Sequence, residues 1–177
     1  GGLAGIAFDA EVGNNVSIDD RANHAMLNQP VPDFELAATG GHTFRLSAAK
    51  GKCVVLYFYP KDSTPGCTTE AQQFGALHAQ FARLGCAVYG ISRDSLKSHE
   101  NFKSKQNLPF DLLSDAAELA CNLFQVIKLK NMYGKQVRGI ERSTFVVDAA
   151  GVLVREWRGV KVPGHAQEVL DYVTTLT

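Results

Sequence analysis

Lys52-Cys53-Val54-Val55-Leu56-Tyr57-Phe58-Tyr59-Pro60-Lys61-Asp62-Ser63-Thr64-Pro65-Gly66-Cys67 is the stretch on which the fold turns. Its first half is a continuous run of β-branched and aromatic residues. That is the pattern of a strand buried on both faces, in the middle of an α/β sheet. Pro60 stops the strand, and Asp, Ser, Thr, Pro and Gly form a loop. Apolar residues at 71, 74, 77, 81 and 84 then recur with a helical period, so a helix is predicted over Cys67–Arg83.

The pattern continues outward in both directions. Before the central strand, Phe34–Leu36 and His42–Leu46 flank the turn Ala38-Thr39-Gly40-Gly41, which predicts a β-hairpin. After the first helix come a strand at Cys86–Ile91 and a helix at Leu96–Lys105, which Asp94-Ser95 can cap. A strand follows at Phe110–Leu113, then a helix capped by Asp115 and running to Phe124. Ser143–Val147, Asp148–Gly151 and Val152–Trp157 read as strand, turn, strand, and Pro163–Leu176 as a last amphipathic helix. Alternating strands and helices give an α/β fold with a mixed central sheet flanked by helices. The late strand–turn–strand supplies an antiparallel edge. Residues 1–28 show no sustained period and are predicted to be a flexible N-terminal extension, with a glycosylation sequon at Asn15-Val16-Ser17. The folded domain is predicted over 29–177, starting at Gln29-Pro30-Val31-Pro32.

The chain has 177 residues, with 18 Lys plus Arg and 18 Asp plus Glu. A net charge of zero provides no global basic field to recruit nucleic acid or an anionic membrane. The longest apolar run, Cys53–Tyr59, is far short of the roughly 20 residues that span a bilayer. Four cysteines, at 53, 67, 86 and 121, form no C-x-x-C pair and have no zinc-finger spacing. They are also too sparse for a disulfide scaffold, so reduced thiols in a cytoplasmic protein are expected. The five histidines are scattered without a metal pattern and are expected at surface or capping positions. No glycine-rich phosphate loop is present.

One cysteine stands apart. Cys67 falls in the first turn of its helix, at the carboxyl end of a buried strand, where open α/β sheets place their sites. A helix N-terminus offers unpaired N–H groups and about half a positive charge. A thiol placed there ionises more readily than a free one. Thr64 can bring a hydroxyl near the sulfur, while Pro60 and Pro65 restrict the loop. Farther on, Arg142 in Ile140-Glu141-Arg142-Ser143-Thr144 stands at the start of an apolar strand. A guanidinium there can stabilise a thiolate and a developing oxyanion.

Pro60, Thr64 and Cys67 together form P-x-x-x-T-x-x-C, and the chain here resembles the peroxiredoxins. YPKDSTPGCTTEA and GIERSTFVVD are similar to the Q-type branch, the bacterioferritin-comigratory proteins. The resemblance covers roughly residues 29–177, and includes Ser92-Arg93-Asp94-Ser95 and Asn131-Met132-Tyr133-Gly134. It implies a thioredoxin-like fold and a thiol-dependent peroxidase that reduces hydrogen peroxide and organic hydroperoxides. It also implies Cys67, Thr64, Arg142 and Pro60 as catalytic residues. Gly66 and Glu70 would help to hold substrate, Glu70 by orienting Arg142. No metal, flavin or nicotinamide cofactor is required. The sulfenic acid formed on Cys67 would be reduced by thioredoxin, glutaredoxin or glutathione, and a monomer is expected.

The chain departs from this branch in its resolving cysteine. Many Q-type members carry one five residues after the peroxidatic cysteine, where this chain has Gln72. Others carry it in the next helix, which here reads Asn101-Phe102-Lys103-Ser104. Cys53 and Cys86 begin strands whose other ends approach the site, about 16–23 Å away at about 3.3 Å per residue. A disulfide needs Cα atoms within about 7 Å, so both read as core thiols. Cys121 could reach Cys67 only if its helix unwinds. A one-cysteine cycle is therefore expected, with Cys121 or an intersubunit disulfide as alternatives. A non-catalytic thioredoxin-like binding module is the reading from another functional class. A disulfide reductase is disfavoured because Thr64 stands where a first cysteine would be.

Overall fold

The computed structural model describes residues 23–176. The sequon and most of the predicted extension, residues 1–22, lie outside the described residues. Residues 23–28, assigned from sequence to that extension, pack onto the fold instead. Ala25 is buried and its N–H donates to the Leu123 carbonyl, while the Asn28 N–H donates to that of Leu153. These backbone bonds, which no side-chain pattern records, bring the chain into the fold before the prolines.

Seven strands form one sheet in the order β2-β1-β5-β4-β3-β8-β9. The strands are β1 Glu35–Ala38, β2 His42–Arg45, β3 Cys53–Phe58, β4 Cys86–Ser92, β5 Leu112–Ser114, β8 Ser143–Val147 and β9 Leu153–Arg158. β3, β4 and β5 run parallel, and β1 and β8 join them antiparallel. The helices are α1 Pro65–Arg83, α2 Leu96–Gln106, α3 Leu119–Leu123 and α4 His165–Thr174.

Alternation along β3 divides the molecule into two cores. Val54, Leu56 and Phe58 face one, together with Phe145, Phe124 and Cys121 of α3. Val55 and Tyr57 face the other, with Phe74 and Phe81 of α1, Phe102 of α2 and Val169 of α4. β3 is apolar throughout because both faces are covered. At the crossing of β3 and β4, Gly90 leaves room for a ring: a Cβ there would stand 2.8 Å from the Tyr57 hydroxyl.

Two sequence expectations are corrected. Residues 127–140, to which the sequence reading assigns no strand, form a second, two-stranded sheet, β6 Ile127–Met132 and β7 Lys135–Ile140. Its turn residues Tyr133 and Gly134 both have positive φ, the backbone of a tight hairpin turn. Most side chains of this hairpin are exposed, so no alternating buried face marked it as sheet. The helix predicted from Asp115 to Phe124 shrinks to the five residues of α3. Asp115 stands outside it, and its carboxylate accepts from the Cys121 N–H at 2.7 Å. Among the described residues, no helix is long and apolar enough to cross a membrane.

Candidate active site

β3 ends at Phe58, and the chain turns through Pro60–Thr64 into α1. The turn is tight enough to put Ser63 in the left-handed region, at φ 65°. Asp62 anchors it from below. The Asp62 carboxylate accepts from the Tyr59 hydroxyl at 2.6 Å and the Ser98 hydroxyl at 2.8 Å, and meets His99 Nδ1 at 2.7 Å. His99 Nε2 donates to the Leu113 carbonyl at 2.9 Å. The Asp62 N–H donates to Asp94, whose carboxylate also accepts from Ser92. Burial pushes the Asp62 carboxyl up, but bonds from His99 and Tyr59 outweigh it and hold the group below the usual range.

This anchor was not legible in the sequence. His99 is fully buried, as is most of His165, which meets the Thr144 hydroxyl at 2.8 Å; both correct the expectation of surface or capping positions. Asp62, Asp94 and His99 bring ligand-type atoms within 4.8 Å of one another. Their hydrogen bonds to one another, to side chains and to backbone already account for those atoms, so the cluster acts as a tie between the loop and α2.

Thr64 is the N-cap residue of α1, followed by Pro65 at the first helical position. Pro there costs nothing, since its missing N–H would be unpaired anyway. The Thr64 hydroxyl donates to the Lys61 carbonyl at 2.8 Å and does not cap the helix. The N–H groups of Gly66 and Cys67 are therefore left without a side-chain cap at the positive end of the dipole. Cys67 is buried in the first turn, and Pro60 is half-buried beside the end of β3.

Arg142 reaches this turn through strand register. β8 pairs antiparallel with β3, and Phe58 stands opposite Ser143. The residue before Ser143 is thereby delivered to the end of β3, where the chain departs for Cys67. Arg142 Nη2 donates to Cys67 Sγ at 3.4 Å, and Nη1 to Glu70 Oε1 at 2.6 Å. Gly66 permits the approach, since a Cβ there would lie 3.3 Å from Nη2. Glu70 lies one turn after Cys67 on the same helix face and is 1 % exposed. Of the residues singled out from sequence, Cys67, Arg142, Glu70 and Gly66 converge, with Thr64 and Pro60 on the adjoining loop.

Burial raises the Glu70 carboxyl to about 7, against the pull of Arg142. The folded protein thus holds this proton more tightly than the unfolded chain does. Glu70's contribution is most favourable below about pH 4.5 and declines as pH rises to 7, by about 3 kcal/mol in all. Glu70→Gln should flatten that decline. Denaturant midpoints of both proteins at pH 5 and pH 7 check this, and equal pH slopes would contradict it.

Cys121, Cys53 and Cys86 stand elsewhere. Cys121 is buried in the core on the other face of the sheet from Cys67. Burial, with Asp115 beside it, pushes its thiol up. Cys53 and Cys86 occupy the opposite ends of β3 and β4 from the Cys67 turn. Gln72 donates from Nε2 to Gln106 Oε1 of α2 at 2.9 Å.

A buried sulfur beside a guanidinium and first-turn N–H groups can attack an electrophile and stabilise the anion that leaves. Known proteins share this arrangement of elements. The AhpC/TSA family matches residues 27–156. Peroxiredoxin Bcp of Xanthomonas campestris pv. campestris is 53 % identical over 148 residues, covering 82 % of this chain and 92 % of the relative. Peroxiredoxin Bcp of Bacillus subtilis is 51 % identical over 145 residues, with the same coverage. The structure of Xanthomonas campestris Peroxiredoxin Q superposes with a TM-score of 0.80 at 52 % identity, covering 85 % of this chain and 97 % of that one. A second structure, of the Xanthomonas campestris bacterioferritin comigratory protein, concerns that protein's alkyl peroxide reduction activity. It is 51 % identical with a TM-score of 0.80, covering 86 % and 98 %.

Proposed function

This chain belongs to the AhpC/TSA family, as a peroxiredoxin of the Q (Bcp) type with a thioredoxin-like fold, and from that membership we propose a one-cysteine cycle run by Cys67. The Cys67 thiolate attacks one oxygen of a hydroperoxide and breaks the O–O bond. The sulfur becomes a sulfenic acid, and the departing alkoxide or hydroxide takes a proton to become alcohol or water. Arg142 and the N–H groups of Gly66 and Cys67 hold the peroxide and the charge that develops on it. Thr64 offers its hydroxyl oxygen to the peroxide's proton, and Pro60 shields the sulfur. Glu70 positions Arg142.

The observation that carries this proposal is the Arg142 bridge, which touches the Cys67 sulfur and the Glu70 carboxylate at once. Hydrogen peroxide and organic hydroperoxides both suit a site that grips only the O–O group. The alkyl peroxide activity of the Xanthomonas campestris relative supports the organic class.

Two thiols of an external reductant restore Cys67, leaving as a disulfide with release of water. Thioredoxin, glutaredoxin and glutathione are the proposed sources, in the reducing cytoplasm, with the protein working as a monomer. The burial of Cys121 on the far face of the sheet supports an external reductant over an internal one. Turnover of the Cys121→Ser protein with each reductant tests this. Rates within about twofold of the unaltered protein are expected for at least one reductant. Loss of turnover with all three would establish Cys121 as the resolving residue.

A further inference from the structure

A second pair of thiols lies at the far end of the sheet. Cys53 opens β3 and Cys86 opens β4, and the parallel register makes them direct partners. Partners on adjacent parallel strands point to the same face, and here both side chains belong to the core under α1 and α4. Strands in a sheet stand about 4.8 Å apart, inside the Cα separation of about 4.4–6.8 Å that a disulfide requires. The Cys53 N–H donates to the Gly85 carbonyl at 3.2 Å, which fixes the two strand ends side by side. Contact with the Cys53 thiol, more than burial, pushes the Cys86 thiol up. The register and the shared face set the two thiols beside each other.

The pair is unequal in access. Cys86 is buried, whereas Cys53 is half-buried and lines a cleft of about 450 Å³ with Gly51, Leu84, Gly85, Asp148 and Val173. The cleft is lined chiefly by small and apolar groups and lies away from the Cys67 turn.

We propose that Cys53 and Cys86 are a second thiol–disulfide site, one that exchanges with low-molecular-weight disulfides through this cleft. Cys53 sulfur bonds to one sulfur of the small disulfide, whose S–S bond breaks. The first small thiol departs with the Cys53 proton. Cys86 sulfur then bonds to Cys53 sulfur and displaces the second small thiol, which takes the Cys86 proton. Two electrons pass from the protein dithiol to the small disulfide, and the product staples β3 to β4.

Glutathione disulfide is the probe. It is applied to the folded Cys67→Ser/Cys121→Ser protein, to the unaltered protein, and to each after denaturation as a control. A loss of about two daltons is expected in the folded double variant, for the two hydrogens removed. Peptide mapping should join Cys53 to Cys86 in both folded proteins. Adding Cys86→Ser should leave a stable glutathione adduct on Cys53. Three results would overturn the proposal: free thiols in the folded protein while the denatured control oxidises, an adduct on Cys53 that never closes although Cys86 is present, or a disulfide between two chains.

Discussion

The Cys67→Ser protein is expected to lose peroxide reduction by at least about 10⁴-fold while remaining folded. A serine oxygen is a far weaker nucleophile than a thiolate and has no stable analogue of the sulfenic acid. The substitution is nearly isosteric, and the surroundings do not depend on the sulfur for their structure. Arg142 keeps Glu70, the α1 N-terminus keeps Pro65, and the Asp62–His99 tie lies on other residues. Circular dichroism and thermal unfolding should therefore stay close to those of the unaltered protein. Peroxide consumption in excess reductant reads the loss. Retention of more than about a tenth of the rate would move the chemistry to another residue.

Arg142→Met should be the next most damaging change, and it should act on two quantities. Removing one charge-stabilising donor costs about 10²–10³-fold in rate. The substitution also strips Glu70, 1 % exposed, of its partner. An unpaired buried carboxylate destabilises by about 3–5 kcal/mol unless it takes up a proton. Glu70 already sits near 7 through burial, so without Arg142 it should stay protonated at neutral pH and soften the stability loss. The rate loss has no such relief. Adding Glu70→Gln should restore stability without restoring rate. Recovery of the rate in that double variant would show that Arg142 acts only by neutralising Glu70. Arg142→Lys should fall between, since an ammonium keeps the charge but not the fork that reaches both Cys67 and Glu70.

The parts of this site that lie close in sequence were legible there. Strand, proline, loop and helix from Lys52 to Arg83 follow from residue types, because each is a local preference acting on its neighbours. Cys67 in the first turn of α1 follows in the same way. The meeting of Arg142 with Cys67 does not, because 75 residues separate them and strand order decides it. Only the register of β3 with β8, Phe58 opposite Ser143, delivers it. His99 misled for the same reason. Its partner Asp62 is 37 residues away, and a buried hydrogen-bonded pair leaves no periodic trace. The hairpin of β6 and β7 was missed because exposed strands carry no contrast between faces. Cys121, expected to reach Cys67 only if its helix unwinds, shows the same dependence on packing. A helix can begin at the right edge of a sheet and still pack beneath the wrong face, as α3 does with Phe58, Phe124 and Phe145.

The measurement closest to the central claim is a map of where one equivalent of hydroperoxide leaves its oxygen. The reduced, unaltered protein is treated with peroxide in the presence of a sulfenic-acid trap, and the adduct is located by peptide mass. The expected result is a single adduct on Cys67, absent from the Cys67→Ser protein, with no disulfide involving Cys67. A trap adduct on another cysteine, or Cys67 recovered in a disulfide with Cys121, would contradict it.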